Sequence, residues 1–317
     1  MLRVACGLGL GAMLAACSSG GGGGSGGQAT TTGSGAGGSA TTSGSGGATT
    51  TTSGSGGSTT TTTSSGTGGT GGEMIGAGPY FISYTSPGPG IDSRPSVTAA
   101  FAGEELLGYV ASPMESPTRG TNVSSEVGMD AFIAWGRWNG GTTAGTFYSN
   151  PGVVLSATQG WHLVLGTATP SASVPASGGA SYTLLGATHS TIDDGSFAIG
   201  TLTGSMNVAF SGATTRVGVD LSIDMPGDAT YAVVSAGGTS TPSTSELGSL
   251  SAANAARLGG QVAVTSAGKA CSGSAGCKAS FQGFIAGPDA DRIGLAFVLT
   301  AGMAGTQVRG VAVFQRQ

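Results

Sequence analysis

The chain has 317 residues, of which 63 are glycine and only 8% are charged, with a net charge of −4. Such a composition leaves no basic surface for DNA, RNA or anionic lipid, so nucleic-acid binding is excluded. With two histidines and four cysteines it also offers few ligands for a metal.

Residues 1–16 carry one positive charge, Arg3, and then an apolar and glycine run from Val4 to Ala16. That run matches the h-region of a secretory signal and is too short to cross a bilayer, which takes about 20 apolar residues. It closes on Leu14-Ala15-Ala16-Cys17, which resembles the lipobox of bacterial lipoproteins. The resemblance implies cleavage before Cys17, diacylation of its sulfur and acylation of the new amino terminus, a membrane anchor of two or three chains. Ser18 stands where an aspartate would favour inner-membrane retention, so the outer membrane is the expected location, with the face left open.

From Ser18 to Gly72 the chain is Gly, Ser, Thr and Ala with a single Gln. A segment without charged, aromatic or large aliphatic residues cannot offset its chain entropy by burial. Residues 17–72 are therefore expected to be a lipidated tether, with an r.m.s. reach of roughly 40 Å.

Residues 73–178 hold β-like runs at Tyr80–Tyr84, Leu106–Ala111, Phe132–Trp138 and Trp161–Leu165, with prolines at 79, 87, 89, 95, 113 and 117. They are expected to form a small handle-like β region, with extra strands packed beside the barrel as the alternative. Trp135 and Trp138 are an odd number apart, so a regular strand points them to opposite faces. One then packs inside, while the other, beside Arg137, is a candidate anchor for a partner; packing of both is the alternative.

Residues 179–317 read as eight strands, Ala180–Leu185, Gly204–Phe210, Arg216–Asp224, Thr230–Ser235, Gly260–Thr265, Ala279–Ile285, Arg292–Leu299 and Gln307–Phe314, separated by turn residues. Sequential hairpins of even number predict an all-β, soluble up-and-down barrel, which removes exposed edges. From Val217 to Asp224 apolar odd positions alternate with small or polar even ones, as a strand with one core face requires. Gly283 interrupts the alternation, which predicts a bulge or sharp bend. A short helix is expected over Leu247–Leu258. Strands this short, in a chain with 6% aromatics, argue against a membrane-spanning barrel. Cys271 and Cys277 flank a small Gly/Ser loop and are expected to form a disulfide at a hairpin tip.

The segment Phe281-Gln-Gly283-Phe284-Ile-Ala-Gly287-Pro288-Asp-Ala290, continuing through Arg292-Ile293-Gly294 to Phe297, and the closing Gly310-Val-Ala-Val-Phe314, resemble the last barrel strands of the transferrin-binding protein B family and of factor H-binding protein. Arg292-Ile293-Gly294 departs from the Glu-Leu-Gly of that pattern. The resemblance implies fold, lipidation and an outer-membrane location in a Gram-negative bacterium, but neither protein's ligand, because loops carry specificity on a shared scaffold.

Signs of catalysis are few. His162 is expected on an outward strand face and His189 in a Ser/Thr loop, and no nucleophile elbow, zinc-binding helix motif or phosphate loop occurs in the folded part. Asp289 and Asp291 lack a chelating residue at the twelfth position of a calcium loop, which is Thr300, and Asp193-Asp194-Gly195 reads as a turn. The expected protein is not an enzyme and has no cofactor. It is a monomeric binding module for a host or environmental protein or a small ligand. The alternative is a structural envelope lipoprotein without a soluble partner.

Overall fold

The computed structural model describes residues 75–317 other than 89, 149–151, 212–214, 236–237, 239–256, 273–275 and 303–305. Cys17 and the tether lie outside the described residues, as does nearly all of the expected helix at Leu247–Leu258. Its last two residues begin a strand instead.

The first ten strands are β1 (Tyr80–Thr85), β2 (Asp92–Ala102), β3 (Glu105–Val110), β4 (Glu115–Thr118), β5 (Val123–Met129), β6 (Ile133–Asn139), β7 (Gly141–Thr142), β8 (Ala144–Phe147), β9 (Val154–Leu155) and β10 (Trp161–Gly166). Eight of them form a curled antiparallel sheet in the order β5-β6-β10-β1-β2-β3-β4-β8, and β7 pairs with β9. Its central strands are buried on both faces. Tyr80, Ile82, Tyr84, Trp138, Trp161 and Leu163 point into an aromatic core enclosed by the curl. Phe81, Ile133 and Val164, on the alternate positions, point the other way.

The barrel is built from β11 (Ser177–Ala187), β13 (Thr201–Ser211), β14 (Arg216–Met225), β15 (Ala229–Val234), β16 (Arg257–Thr265), β17 (Lys278–Ala286), β18 (Arg292–Thr300) and β19 (Val308–Arg316). These are the eight expected strands, all but β15 slightly longer than expected, and β15 shifted by one residue. They pair in chain order and β19 returns to β11, which closes the barrel; the short β12 (Thr191–Ile192) adds to β19. Inside lie Tyr182, Met206, Val219, Leu221, Phe281, Phe297 and Phe314. Over β13 and β14 the outward positions are polar or small, as with Thr203, Ser205, Asp220, Ser222 and Asp224. An apolar interior under a polar exterior is the reverse of a lipid-facing barrel. Among the described residues no helix is long and apolar enough to cross a membrane.

Gly283 does not make a bulge. Pairing with both neighbours runs through it without a register shift. Space is the reason for glycine here, since a Cβ would stand 2.1 Å from the Gly294 carbonyl oxygen of the adjoining strand. Cys271 and Cys277 are joined as a disulfide, with Cα atoms 4.9 Å apart, in the connection between β16 and β17.

Strands β17, β18 and β19 carry a second apolar set on the outside of the barrel, Phe284, Ala286, Ala296, Val311 and Val313, and the sheet packs on it through Phe81, Ile133 and Val164. The rings of Phe81 and Phe284 are 5.0 Å apart. Removing the Phe284 ring leaves a cavity that neither rigid layer can fill. Phe284→Ala is therefore expected to lower the unfolding free energy by about 3–5 kcal/mol in urea titrations, the usual range for a buried phenylalanine.

Candidate functional site

The seam between sheet and barrel holds a buried arginine with few charged partners. Arg309 lies on the outward face of β19, in line with Val311 and Val313, and is only 1% exposed. Its Nη1 donates to Thr85 Oγ1 (2.9 Å), and its Nη2 donates to Gln307 Oε1 (2.5 Å) and to the Gly88 carbonyl oxygen. Its nearest counter-charge is Asp193 Oδ2 at 3.7 Å, and its Nε has no partner. Burial pushes this guanidinium down to about 10, against the pull of Asp193. A cation held this way is short of negative charge.

Beside it, the turn between β1 and β2 overhangs the outer face of β16–β18 and bounds a cleft of about 740 Å³. Its lining includes Gly90 and Ile91 from the turn, Arg257, Gly259 and Gln261 from β16, Ser280 and Gln282 from β17, Val298 and Thr300 from β18, and Gln307. Alternation on these strands explains the lining: inward positions such as Leu258, Val262 and Ile285 fill the barrel, so the polar and glycine positions between them face out. Gln282 ties the parts together. Its Nε2 donates to the Ile91 carbonyl oxygen (3.0 Å) and its Oε1 accepts from Arg257 Nη2 (3.3 Å). Gln261 Nε2 donates to Ser280 Oγ at 3.2 Å.

A smaller cavity, about 270 Å³, lies on the other side of the same turn against Tyr84, Asp92, Phe147 and Tyr148. Under it the buried Glu115 accepts hydrogen bonds from Arg94 Nε (2.6 Å), Tyr84 OH (2.7 Å) and Tyr148 OH (3.1 Å). Burial, then the hydrogen bond to Glu115, pushes the Tyr84 phenol well up. This carboxylate is fully engaged within the sheet.

The tryptophans do face opposite sides of β6. Trp138 is 1% exposed in the aromatic core, where its Nε1 donates to the Leu106 carbonyl oxygen (2.9 Å). Trp135 is half-buried in the seam, wedged between Gly128 and Gly186, where a Cβ at either glycine would meet its ring at 2.1 and 2.3 Å. Arg137 is 2% exposed and forks onto Glu126 with 2.7 and 2.8 Å bonds. Burial acts to raise the Glu126 carboxyl, but Arg137 and His189 prevail and hold it below its ordinary value. Arg137 and Trp138 therefore present no side chain to a partner. Packing satisfies Trp138, and the carboxylate and backbone carbonyls around Arg137 satisfy the cation.

His162 is not outward-facing to solvent. It is fully buried in the seam, its Nδ1 2.8 Å from Thr188 Oγ1 and its Nε2 2.8 Å from Thr191 Oγ1. The outward face of β10 is covered by the barrel, a neighbour its local pattern does not reveal. Asp193-Asp194-Gly195 is a turn, with Gly195 at φ +68°. Among the described residues no group of three or more His, Cys, Asp or Glu could hold a metal. The cleft residues Arg257, Gln261, Gln282 and Gln307, and the buried Arg309 near them, escape sequence reasoning. Arg309 alone carries a signal, because a charge in register with two outward valines must share their buried face.

No family model and no curated protein sequence matches the chain. Among solved structures it is similar to a tryptophan-to-alanine variant of transferrin-binding protein B, a vaccine antigen of Haemophilus parasuis Hp5, at 11% identity and TM-score 0.40, over 75% of this chain and 45% of that one. It is similar to isotype 1 transferrin-binding protein B of serogroup B Neisseria meningitidis at 10% identity and TM-score 0.39, over 75% and 43%. A structure described as a surface lipoprotein aligns at 12% identity and TM-score 0.36, over 75% of this chain and 99% of that one. The chain thus spans less than half the length of the two transferrin-binding proteins.

Burial, with Arg137 and Arg309 nearby, holds His162 well below its usual pKa, so it is neutral in the fold. The unfolded histidine takes up a proton below about pH 6.5 and the folded one does not. Stability present above that pH is accordingly lost on acidification, by up to about 1.4 kcal/mol per pH unit for this one site. The thermal midpoint is expected to fall between pH 7 and 5, and to fall less in His162→Asn.

Proposed function

We propose that the chain is a lipid-anchored outer-membrane lipoprotein of a Gram-negative bacterium, and that its sheet and barrel act together as a non-catalytic binding module. Residues 1–16 are the signal peptide, Cys17 the lipidated terminus of a tether to residue 72, 73–178 the handle-like region and 179–317 the barrel. The observation that carries this is Leu14-Ala15-Ala16-Cys17 at the end of an apolar run and at the head of a charge-free small-residue tract. The fold supports it from the other end. A barrel whose interior is filled and whose uncovered strands show water a polar face has no means of its own to hold a membrane. A disulfide between Cys271 and Cys277 suits an oxidising envelope compartment. The cleft beside Arg309 supports a binding role over a purely structural one.

Radiolabelled palmitate supplied to a Gram-negative host expressing the chain is expected to label it, and Cys17→Ser to abolish the label and release the protein into the soluble fraction. Equal labelling of Cys17→Ser would sink the assignment. Protease shaving of intact cells, read with an antibody to the barrel, then decides the face: loss of signal puts the module outside, protection puts it in the periplasm.

A further inference from the structure

The 740 Å³ cleft has one-sided chemistry. Among its described lining residues Arg257 is the one charged group, the rest of the polar lining being amides and hydroxyls. Gln307 is itself held from outside the lining by the buried Arg309, whose Nη2 donates to its Oε1. Arg257 thus faces the cleft without a lining carboxylate, on a chain whose net charge is −4. A cleft with low-dielectric walls concentrates such a field. The volume falls within the range of sites for small molecules.

Charge alone would suit any anion, and the lining narrows the choice. Glutamine amides and serine or threonine hydroxyls both donate and accept hydrogen bonds. A phosphate or other compact anion uses donors only, so the amide carbonyl oxygens would face it unfavourably. Sugar hydroxyls donate and accept in alternation, and match such a surface. Gln282 is pre-set for this role, its amide orientation fixed by Ile91 on one side and Arg257 on the other. We propose that the cleft between the β1–β2 turn and strands β16–β18 binds an acidic saccharide, with Arg257 receiving a uronate carboxylate and Gln261, Ser280 and Gln282 receiving hydroxyls. This assignment rests on the binding-module reading.

Gly259 gives a clean way to close the cleft. It is exposed, and a Cβ there would meet only the Phe281 carbonyl oxygen, at an ordinary 3.6 Å. The Cβ of Gly259→Phe therefore has ordinary room, and its ring enters the cleft from a strand position that favours an aromatic residue.

Isothermal titration of the full lipidated chain in detergent micelles, with trigalacturonate, maltotriose and inorganic phosphate as probes, tests the proposal. Trigalacturonate is expected to bind, with maltotriose weaker by about tenfold or more, as loss of a charge-assisted contact implies. Arg257→Gln should weaken trigalacturonate by about tenfold or more. Gly259→Phe should abolish binding while the thermal midpoint is kept or raised. The proposal is overturned if trigalacturonate gives no heat, if maltotriose binds as well, if Gly259→Phe binds normally, or if phosphate competes with equal affinity, which would mark a plain anion site. Failure here with Cys17-dependent palmitate labelling intact removes the saccharide and leaves the lipoprotein. Loss of that labelling removes the lipoprotein whatever the titration shows.

Discussion

Strands β17, β18 and β19 are apolar on both faces, and the rest of the architecture follows from the need to cover both. Their inward residues, among them Phe281, Leu295, Phe297 and Phe314, are covered by closing the barrel. Their outward residues, Phe284, Ala296, Val311 and Val313, would still face water on an isolated barrel. The curled sheet has the matching defect, since Phe81, Ile133 and Val164 project away from its own aromatic core. Each half covers what the other exposes, and apolar burial of that kind is the largest favourable contribution to folding. Glycines set how close the halves come. At Gly294 a Cβ would stand 2.7 Å from Val164 Cγ2, and at Gly166 one would stand 2.9 Å from Phe284 Cε2.

Around this apolar contact the seam carries polar pairs that fix its register. Asp130 caps the Phe132 and Ile133 amides with Oδ1 and accepts Arg292 Nε at 2.6 Å with Oδ2, joining the start of β6 to the start of β18. The Arg137 fork on Glu126 holds the edge strand β5 to β6 from within. Half-buried pairs of this type add little net stability over apolar replacements, but an unpaired partner is costly, so they disfavour a slipped docking more than they strengthen the right one. Arg309 is the exception among them, because its partners are mostly neutral oxygens.

The barrel was legible because its strands follow a local rule. Val217 to Asp224 alternates apolar and polar at period two, and the turns between strands are marked by Pro226-Gly227-Asp228 and Pro288-Asp289, so strand number and closure could be read from sequence. The sheet was half legible. Its central strands β1, β6 and β10 are mostly apolar, but β2, β4, β5 and β8 are rich in Ser, Thr, Gly and Pro, and join only because neighbouring strands supply their ladder bonds. His162 was misread for the same reason that the cleft was missed. Both depend on which surface covers an outward strand face, a tertiary fact with no local period.

The site's position also has a physical cause. With the barrel lumen filled by Tyr182, Met206 and four phenylalanines, Phe210, Phe281, Phe297 and Phe314, a ligand has no room at the centre. Space appears instead where the sheet's β1–β2 turn hangs over barrel strands that carry glycine and short polar residues on their outer face. Gly90 and Ile91 on one wall and Gly259 on the other come from the two halves, so the cleft exists only while the halves are docked. The same turn supplies Gly88 and Gly90 carbonyl oxygens to Arg309, so the buried charge holds the overhang in place. A change that loosens the seam must therefore also deform the cleft, and occupancy of the cleft must by linkage favour the docked seam.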